Sequence, residues 1–254
     1  PYIFPHGCTY EDQVNIIFDY IFNDLKAKNP RIAIVYAETE FGKKGLHAAR
    51  KEAKKYGTKL VSELVLNIGS VDASSQVLAL RKDNAEYVIT CNLVPPIITY
   101  LKAAEKFNYW PITFGINWTT DEIIVRSCKD AAKNYIGVNF TGGWYDDSPG
   151  MAKARMLAKK YNRDPNKMLT SLYTGCVGKG TMFLEGLKRA GKNLTPESLK
   201  ASLETLRHFD TGGILPPITY SKGNHIPTRK AKLYKTDVEK GGFVAIGGWR
   251  EAKD

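Results

Sequence analysis

The chain has 254 residues, of which 43% are hydrophobic and 11% aromatic, and its formal net charge at pH 7 is +11. These proportions can bury a substantial core, which argues against a disordered chain. No apolar run approaches the ~20 residues that a membrane-spanning helix needs. The cations are spread over predicted helix faces and form no single block, so we interpret the charge as a solvated surface and expect no nucleic-acid partner.

The first half of the chain alternates buried strands with amphipathic helices. The run Arg31–Tyr36 is apolar at successive positions, which predicts a strand covered on both faces, as in a parallel sheet. Apolar residues then recur at spacings of three and four up to Tyr56, which predicts a helix that Gly57 ends. The same order continues with strands predicted at 59–66, 86–91, 111–114 and 135–140 and helices at 73–82, 95–107 and 121–127. This alternation predicts right-handed strand–helix–strand units on a doubly wound parallel sheet.

The pattern changes after residue 140. The loop 141–150 is rich in turn formers, and the helices predicted next have little strand between them. They lie at about 151–161, 169–190 and 196–207, the last with Thr195 as its N-cap but without a clean capping box. Short antiparallel strands are predicted at 217–220, 230–235 and 242–246. The three helices either form a small bundle or cover a sheet outside this chain, and we favour the second interpretation.

Cysteine and histidine spacing gives no metal or redox motif. The chain contains four of each residue, at Cys8, Cys91, Cys128 and Cys176 and at His6, His47, His208 and His225. The absence of a C-x-x-C pair argues against a zinc ribbon or a thioredoxin-type site, and the histidines share no metal-ligand spacing. One or two disulfides are compatible with an oxidising compartment, and all three full pairings stay open. We expect neither a metal nor a cofactor.

Other motifs have simpler explanations than chemistry. Gly175–Thr181 superficially resembles a phosphate-binding loop, but its spacing is wrong and no strand precedes it, so we interpret its small residues as points of close helix packing. The acidic pairs Glu38/Glu40 and Asp146/Asp147 lie on predicted loops, where such pairs are usually solvated. No nucleophile elbow or metalloprotease motif occurs, so an enzyme on a doubly wound sheet is the weaker alternative.

Residues suited to recognition follow three of the predicted strands. Ligands of an open parallel sheet bind beyond the carboxyl ends of its strands, which here fall at 37–41, 91–94 and 115–118. Phe41 and Trp118 are aromatic, and the amides at these ends, Asn92 and Asn117, both donate and accept hydrogen bonds. Ordinary packing would explain one such aromatic alone. Their occurrence at successive strand ends predicts a binding cleft.

Several stretches together resemble the type I periplasmic solute-binding proteins of ABC transporters, in the branched-chain amino acid (Leu/Ile/Val) receptor group. Residues 1–13 are similar to the segment that crosses into the second lobe, and Arg31–Gly42 is similar to the signature strand and loop. Tyr100–Phe107 and Phe183–Gly191 resemble two characteristic helices, and 218–244 resembles the closing segment. The resemblance covers nearly the whole chain and depends on the order and spacing of these stretches.

The resemblance implies an α/β fold of the periplasmic binding protein type I class. Such proteins have two doubly wound parallel-sheet lobes joined by a three-strand hinge. Residues 1–140 would form the second, C-terminal lobe, residues 141–216 the returning helices of the first lobe, and residues 217–254 the final strands of the second lobe and the hinge. The first lobe would be incomplete in this chain, and its missing N-terminal segment would be a partner.

The implied function is the substrate-binding component of an ABC uptake transporter. It would capture a small molecule between its lobes by hinge motion and deliver it to an ABC permease in the membrane, without catalysis. Its location would be periplasmic or extracellular, with membrane anchoring through an absent N-terminus as one option. The alternative is the ligand-sensing domain of a receptor or transcription regulator with the same fold.

The resemblance also predicts the site. In amino-acid-binding members the second lobe supplies aromatics at the positions of Phe41 and Leu93 and an acid near Asn117 that pairs with the ligand's ammonium group. Here Leu93 is not aromatic, and a neutral amide cannot form that ion pair. Asp121 or Glu122 could replace the acid only if their loop reaches inward. The ligand is therefore an amino acid, a neutral compound or an aromatic or carboxylate-bearing compound. The predicted ligand-binding residues are Thr39, Phe41, Cys91, Asn92, Leu93, Asn117 and Trp118.

Overall fold

The structure, a computed structural model, describes residues 2–163 and 170–254. Its strands are β1 (Ile32–Tyr36), β2 (Leu60–Val65), β3 (Tyr87–Cys91), β4 (Ile112–Gly115), β5 (Tyr135–Asn139), β6 (Lys230–Asp237) and β7 (Gly242–Glu251). They form one seven-stranded sheet in the order β2-β1-β3-β4-β5-β6-β7. Strands β1 to β5 pair in parallel, and β6 and β7 add an antiparallel edge. The predicted α/β fold with a parallel sheet is confirmed.

The described helices alternate with these strands and then continue beyond the parallel part of the sheet. They are α1 (Tyr10–Asp19), α2 (Glu40–Lys55), α3 (Ser74–Lys82), α4 (Val94–Lys106), α5 (Glu122–Cys128), α6 (Pro149–Lys160), α7 (Ser171–Ala190) and α8 (Pro196–Leu203). Helix α1 runs directly into a π-helical turn at Tyr20–Asp24. We refer to residues 10–139 and 230–251 as the sheet region and to residues 149–220 as the helical region.

Helices cover both faces of the parallel sheet because its strands are apolar at successive positions. Side chains alternate between the faces of a strand, so Ile32 and Ile34 join one core with α1 and α2. Ala33 and Val35 join a second core with α3, α4 and α5 on the opposite face. Gly57 follows α2 with a φ of 67°, the left-handed conformation that glycine adopts without a Cβ clash, as the sequence predicts.

The structure differs from the sequence prediction mainly toward the C-terminal end. Residues 217–220 do not form a strand, and only an isolated bridge joins Ile218 to Phe209. Pro217 explains the difference, because it offers no backbone N–H to a ladder and Pro216 precedes it. Strand β7 continues to Glu251, beyond the predicted end at residue 246, and α8 ends at Leu203, before the predicted end at residue 207. The predicted start of α7 at residue 169 lies outside the described residues.

The helical region has a small core of its own. Buried side chains from α6, α7, α8 and the segment after α8 meet there: Met151, Met182, Leu203, Leu206, Ile214, Leu215, Ile218 and Tyr220. Glycines on one side of α7 permit this approach. A Cβ atom on Gly178 would lie 2.8 Å from Leu215 Cγ, and one on Gly186 would lie 2.6 Å from Leu203 Cδ2. Close packing thus accounts for Gly178 within the glycine-rich run 175–181, as the sequence predicts.

The other face of the helical region is apolar and uncovered. Met156 and Tyr161 on and just after α6 and Leu172, Phe183 and Leu184 on α7 are each between 46% and 61% exposed. Three of these side chains lie on α7, and none of α3, α4 and α5 exposes as many large apolar side chains. The helices therefore do not close into an isolated bundle with all apolar faces buried. Within the described residues, no helix combines the length and apolarity that crossing a bilayer requires.

A buried ion pair joins the sheet region to the loop that leads into the helical region. Lys232 Nζ on β6 lies 2.7 Å from Asp146 Oδ2 in the loop before α6, and the Tyr234 hydroxyl donates to the same carboxylate oxygen over 3.0 Å. Asp146 is 8% exposed, whereas Asp147 is exposed. The expectation of a solvated acidic pair was therefore wrong for Asp146, because β6 brings a cation against it.

Candidate functional site

A cavity of about 410 Å³ lies beyond the carboxyl ends of β4 and β5, and we call it the strand-end cavity. Asn117, Trp118 and residues 139–141 line it on the side of the sheet, and the first turns of α7 line it on the opposite side. Residues 5–11 and Lys44 complete most of the lining. The cavity therefore lies where open parallel sheets bind their ligands, between the sheet region and the helical region.

Chain segments that cross between the two regions meet beside this cavity. Phe4 stacks on His225, with ring centroids 4.0 Å apart and ring planes 21° apart. Gly7 lies directly against the ring of Phe140, and a Cβ atom on Gly7 would overlap that ring. Residues 2–9 thus contact both of the segments that cross between the regions, 140–148 and 221–229. Glycine is needed at position 7 because two segments approach so closely.

Asn117 is held in place by a buried amide on α1. Its backbone N–H donates to Gln13 Oε1 over 2.8 Å, which sets the orientation of the Gln13 amide. Gln13 Nε2 then donates to Asn117 Oδ1 over 3.1 Å, and Gln13 is fully buried. Its oxygen already accepts one hydrogen bond, so the group of Asn117 that is free to bind a ligand is its Nδ2 donor. This arrangement suits an oxygen on the ligand and does not suit an ammonium group.

Aromatic side chains form a row at the edge of the cavity. Trp118 Nε1 donates to the Tyr10 hydroxyl over 2.8 Å, and the Tyr10 ring lies 6.0 Å from the ring of Phe41 at 49°. Trp118 is 43% exposed and lines the cavity, while Phe41 is half-buried and packs against the core beneath. The indole therefore offers an apolar surface that is fixed at its polar end.

Charged side chains and a neutral imidazole also line the cavity. Lys44 on α2 and Lys179 on α7 line the cavity, together with the carboxylate of Glu11. His6 also lines it, and burial, with a smaller effect of Lys179, lowers the pKa of His6 to about 4. His6 is therefore neutral near pH 7, and the lysines carry the positive charge at this site.

A sequence profile described as periplasmic binding protein matches residues 1–242. This chain belongs to the periplasmic binding protein family. The predicted resemblance is therefore confirmed at the level of the family. Among curated proteins, no significant match was found.

Solved structures with the same fold include a branched-chain amino acid ABC transporter protein from Thermus thermophilus with bound valine. Its TM-score is 0.88 at 22% identity, over 98% of this chain and 67% of that chain. For a fatty acid ABC transporter substrate-binding protein from Thermomonospora curvata the TM-score is 0.87 at 23% identity, over 99% of this chain and 65% of that chain. For a possible leucine/isoleucine/valine-binding protein from Rhodopirellula baltica the TM-score is 0.86 at 15% identity, over 96% of this chain and 66% of that chain. These TM-scores show a common fold, and this periplasmic binding protein spans about two thirds of the length of each of those chains.

The structure brings together only part of the predicted site. Asn117 and Trp118 line the strand-end cavity, and Phe41 lies one ring away, behind Tyr10. Thr39 caps α2, where its Oγ1 accepts from the Gly42 N–H over 3.3 Å. The four predicted residues Thr39, Cys91, Asn92 and Leu93 are not part of the cavity lining. Contact of any of these residues with a ligand stays a prediction.

Burial explains why the end of β3 contributes no side chain to the cavity. Cys91 and Asn92 are fully buried. Asn92 Nδ2 donates to the Leu66 carbonyl over 2.7 Å, and its Oδ1 accepts from the Leu93 N–H over 2.8 Å. The Asn92 amide therefore stabilises the turn into α4. The Leu93 backbone forms the N-cap of that helix.

Asp121 and Glu122 do not replace the missing carboxylate. The Asp121 side chain caps α5 by accepting from the Ile123 N–H over 2.9 Å. Glu122 Oε2 accepts from the Ser171 N–H at the start of α7 over 3.1 Å. Both side chains are buried away from the cavity lining, and burial raises the pKa of Asp121 above its ordinary value and that of Glu122 to about 7. Their loop turns inward to the helical region and not to the cavity.

Sequence reasoning missed the charged residues of the cavity. His6 precedes the first helix and Lys179 lies on α7, so neither is at the end of a strand of the sheet. Lys44 lies three residues after Phe41, within the first turns of α2, and was assigned to the solvated surface. All four cysteines are free thiols in the structure, with Cys176 exposed. Among the described residues, no group of His, Cys, Asp or Glu could hold a metal ion.

Proposed function

We propose that this chain is part of the substrate-binding component of an ABC uptake transporter. It captures a small solute between two lobes and delivers it to a permease in the membrane. The observation that carries the proposal is the strand-end cavity, which lies between the sheet region and α7 and beside the crossing segments. A cavity placed at such crossings changes shape when the regions rotate about them, which is how hinge closure captures a ligand.

The sheet region serves as the second lobe in this proposal. Residues 1–140 and 217–254 form that lobe with the hinge, and residues 141–216 are the returning helices of the first lobe. The support is the change of architecture after β5, where helices continue but no described strand joins the sheet until β6. Contacts of Phe4 with His225 and of Gly7 with Phe140 are consistent with a hinge of adjacent segments.

A further part of the first lobe covers the exposed face of α6 and α7. Phe183 and Leu184 would pack on the missing sheet, in the way that the sheet region buries the apolar sides of α2 and α4. This partner is the N-terminal segment of the same protein. It accounts both for the uncovered face and for the share of the similar chains that this chain does not span.

The site supports a small solute that is an amino acid or an aromatic or carboxylate compound. Trp118 offers an apolar surface and Asn117 a hydrogen-bond donor. One similar protein was solved with valine and another is described as a fatty acid transporter protein, so the fold accepts both kinds of solute. The protein acts in the periplasm or outside the cell, where a permease partner would receive the solute.

Ligand binding by the full-length protein tests this function. Native mass spectrometry identifies a small molecule that copurifies, and a thermal-shift panel of amino acids, fatty acids and aromatic acids measures binding, because a ligand of the folded state raises the melting temperature. Trp118→Ala should abolish most of the shift, since the indole lines the cavity. Trp110→Ala is the matched control, because Trp110 stacks with Lys133 and does not line the cavity. A panel without any binding, or an equal loss in both variants, would refute the proposal.

A further inference from the structure

The distribution of charge in the strand-end cavity narrows the class of solute. We propose that the ligand is a monocarboxylate with an apolar body and no α-ammonium group, and that Lys44 and Lys179 bind its carboxylate. This inference depends on the proposed solute-binding function and specifies its substrate class. It also makes Lys44 and Lys179 the residues that determine specificity, in a position that the strand ends alone do not reveal.

The two lysines have no partner among the described residues. Both line the cavity, and within residues 2–163 and 170–254 neither forms a hydrogen bond or an ion pair with a carboxylate. They approach from different regions, Lys44 from α2 and Lys179 from α7. An anion between them would therefore be attracted from both sides, and its binding would favour the arrangement in which the two regions lie close together.

The single carboxylate in the lining does not cancel this charge. Glu11 is exposed and is opposed by the two lysines, so the lining keeps a net positive charge. The lining thus combines two ammonium groups and one carboxylate with a neutral His6 and the Nδ2 donor of Asn117.

This set of groups favours a carboxylate without an ammonium group over a zwitterion. The α-ammonium group of an amino acid needs acceptors or a carboxylate, and the Asn117 oxygen is already bound to Gln13. Asp121 and Glu122 are turned away from the cavity. An ammonium group would thus be desolvated beside two like charges, with the exposed Glu11 as its one carboxylate partner in the lining, which is costly. A carboxylate meets two cations and the Asn117 donor against that one like charge.

The remaining lining describes the body of the ligand. Trp118, Phe140, Leu172 and Ile226 present apolar surface to the cavity. Its volume of about 410 Å³ lies in the lower range of small-molecule sites. A phenyl ring or a branched alkyl chain of a few carbons would fill this space and stack on the indole.

Matched pairs of compounds separate the carboxylate from the ammonium group. Isothermal titration of the full-length protein compares 3-phenylpropionate with L-phenylalanine and 4-methylpentanoate with L-leucine, since each pair shares its carbon skeleton and differs in the α-ammonium group. The amide 3-phenylpropionamide removes the negative charge at nearly constant shape. We expect at least one of the two carboxylates to bind at least about 10-fold more tightly than its amino acid, a difference of about 1.4 kcal/mol. 3-Phenylpropionate should exceed its amide by the same factor if it is the carboxylate that binds.

Variants connect this preference to the two lysines. Lys44→Gln and Lys179→Gln should each raise the Kd of the carboxylate about 10-fold, because each removes a charge-assisted hydrogen bond, and should change the Kd of the amide no more than about 3-fold. Lys43→Gln and Lys188→Gln are matched controls, because they lie on the same two helices but outside the lining, and both should leave the Kd of the carboxylate unchanged. All four positions carry exposed side chains, so folding should not be affected.

The outcomes distinguish an error in the charge assignment from an error in the solute-binding function. If L-leucine or L-phenylalanine binds more tightly than its carboxylate, or if the control variants weaken the carboxylate as much as Lys44→Gln and Lys179→Gln do, the charge assignment is wrong while solute binding stands. The charge assignment is also wrong if neither carboxylate binds while a neutral compound or another solute of the wider panel binds. If no compound of the wider panel binds, the solute-binding function itself fails and this inference fails with it.

Discussion

The sheet region and the helical region solve the same packing problem to different degrees. In the sheet region, strands such as β1 bury both faces against helices, and Phe114 and Val35 are fully inaccessible. In the helical region, α7 buries the side that carries Gly178 and Gly186 and leaves Phe183 and Leu184 at its surface. An amphipathic helix is stabilised when its apolar side is covered. Contacts within this chain therefore stabilise the helical region less completely than the sheet region.

Truncation of one phenylalanine in each region tests this difference, with the largest expected effect in the sheet. Phe114→Ala should lower the free energy of unfolding by about 3–5 kcal/mol, because a fully buried ring leaves a cavity on β4. Phe183→Ala should lower it by less than about 1 kcal/mol in the 254-residue chain, since Phe183 is 46% exposed. Urea denaturation measures both values.

The same pair of variants in the full-length protein sharpens the comparison. If a first-lobe sheet covers α7, Phe183→Ala should there cost about 2 kcal/mol or more, while the cost of Phe114→Ala stays unchanged. An equally small cost of Phe183→Ala in both chains would mean that the exposed face of α7 has no partner in the longer protein. The exposed variant Leu78→Ala on α3 serves as a control, because its surface position should be insensitive to chain length.

The ion pair between β6 and the loop before α6 comes next in expected effect. Lys232→Met should lower the free energy of unfolding by about 3 kcal/mol, because Asp146 would remain buried with only the Tyr234 hydroxyl as its side-chain partner. The lower end of the usual range applies, since Lys232 keeps some contact with water. Chemical denaturation of Lys232→Met, of Asp146→Leu and of the double variant gives the coupling energy. A double variant as unstable as the sum of the singles would show that the pair does not hold the loop before α6 against β6.

Periodicity predicts most of the sheet region because each of its elements is specified locally. The apolar run before Tyr36 and the glycine at position 57 fix β1 and the end of α2 without reference to the rest of the fold. The sequence prediction omitted α1, although Thr9 and Asp12 form a capping box there and apolar residues follow at helical spacing. It added a strand at 217–220, where apolar alternation was given more weight than the two prolines.

The cavity was harder to predict than the fold because its walls come from distant parts of the chain. Asn117 and Trp118 follow a strand, so their position is readable from the sequence. The orientation of the Asn117 amide depends on Gln13, which lies 104 residues away. Lys179 joins Lys44 only because α7 packs across the strand ends. Charge on an exposed helix face gives no local signal of such a meeting.

Protonation of Glu122 tests the contact between the regions by pH. Burial raises the pKa of Glu122 in the folded protein to about 7 from an ordinary value of 4.5, with Asp121 contributing in the same direction and Arg126 opposing it. The folded state therefore holds a proton that the unfolded state has lost between about pH 4.5 and 7. Stability should fall as the pH rises through this range, by at most about 3 kcal/mol from this residue at pH 8.

Glu122→Gln isolates that contribution. The amide keeps an oxygen that can accept the Ser171 N–H and has no charge to desolvate. The variant should be more stable than the parent at pH 8 and equal to it near pH 4.5, as measured by thermal unfolding at several pH values. A parallel pH dependence in both proteins would show that another group controls the titration.

The smallest expected effects compare one helix cap from each region. Thr9→Ala removes the cap of α1, where Asp12 N–H donates to Thr9 Oγ1 over 3.1 Å and most of the helix is buried, so it should lower the free energy of global unfolding by about 1–2 kcal/mol. Thr195→Ala removes the cap of α8, where Ser198 completes a capping box that the sequence prediction did not expect. Because this cap is exposed, the change should cost about 0.5–1 kcal/mol.

Hydrogen exchange shows whether losing the Thr195 cap destabilises α8 alone or the whole chain. If the helical region is held more weakly than the sheet, Thr195→Ala should speed exchange of the α8 amides by local opening and leave the amides of β1 and β3 unchanged. Thr9→Ala should instead speed exchange throughout the sheet, because α1 packs on the core of β1 and β4. Equal acceleration of both regions by either variant would mean that they unfold as one cooperative unit, in which case the uncovered face of α7 does not weaken the helical region.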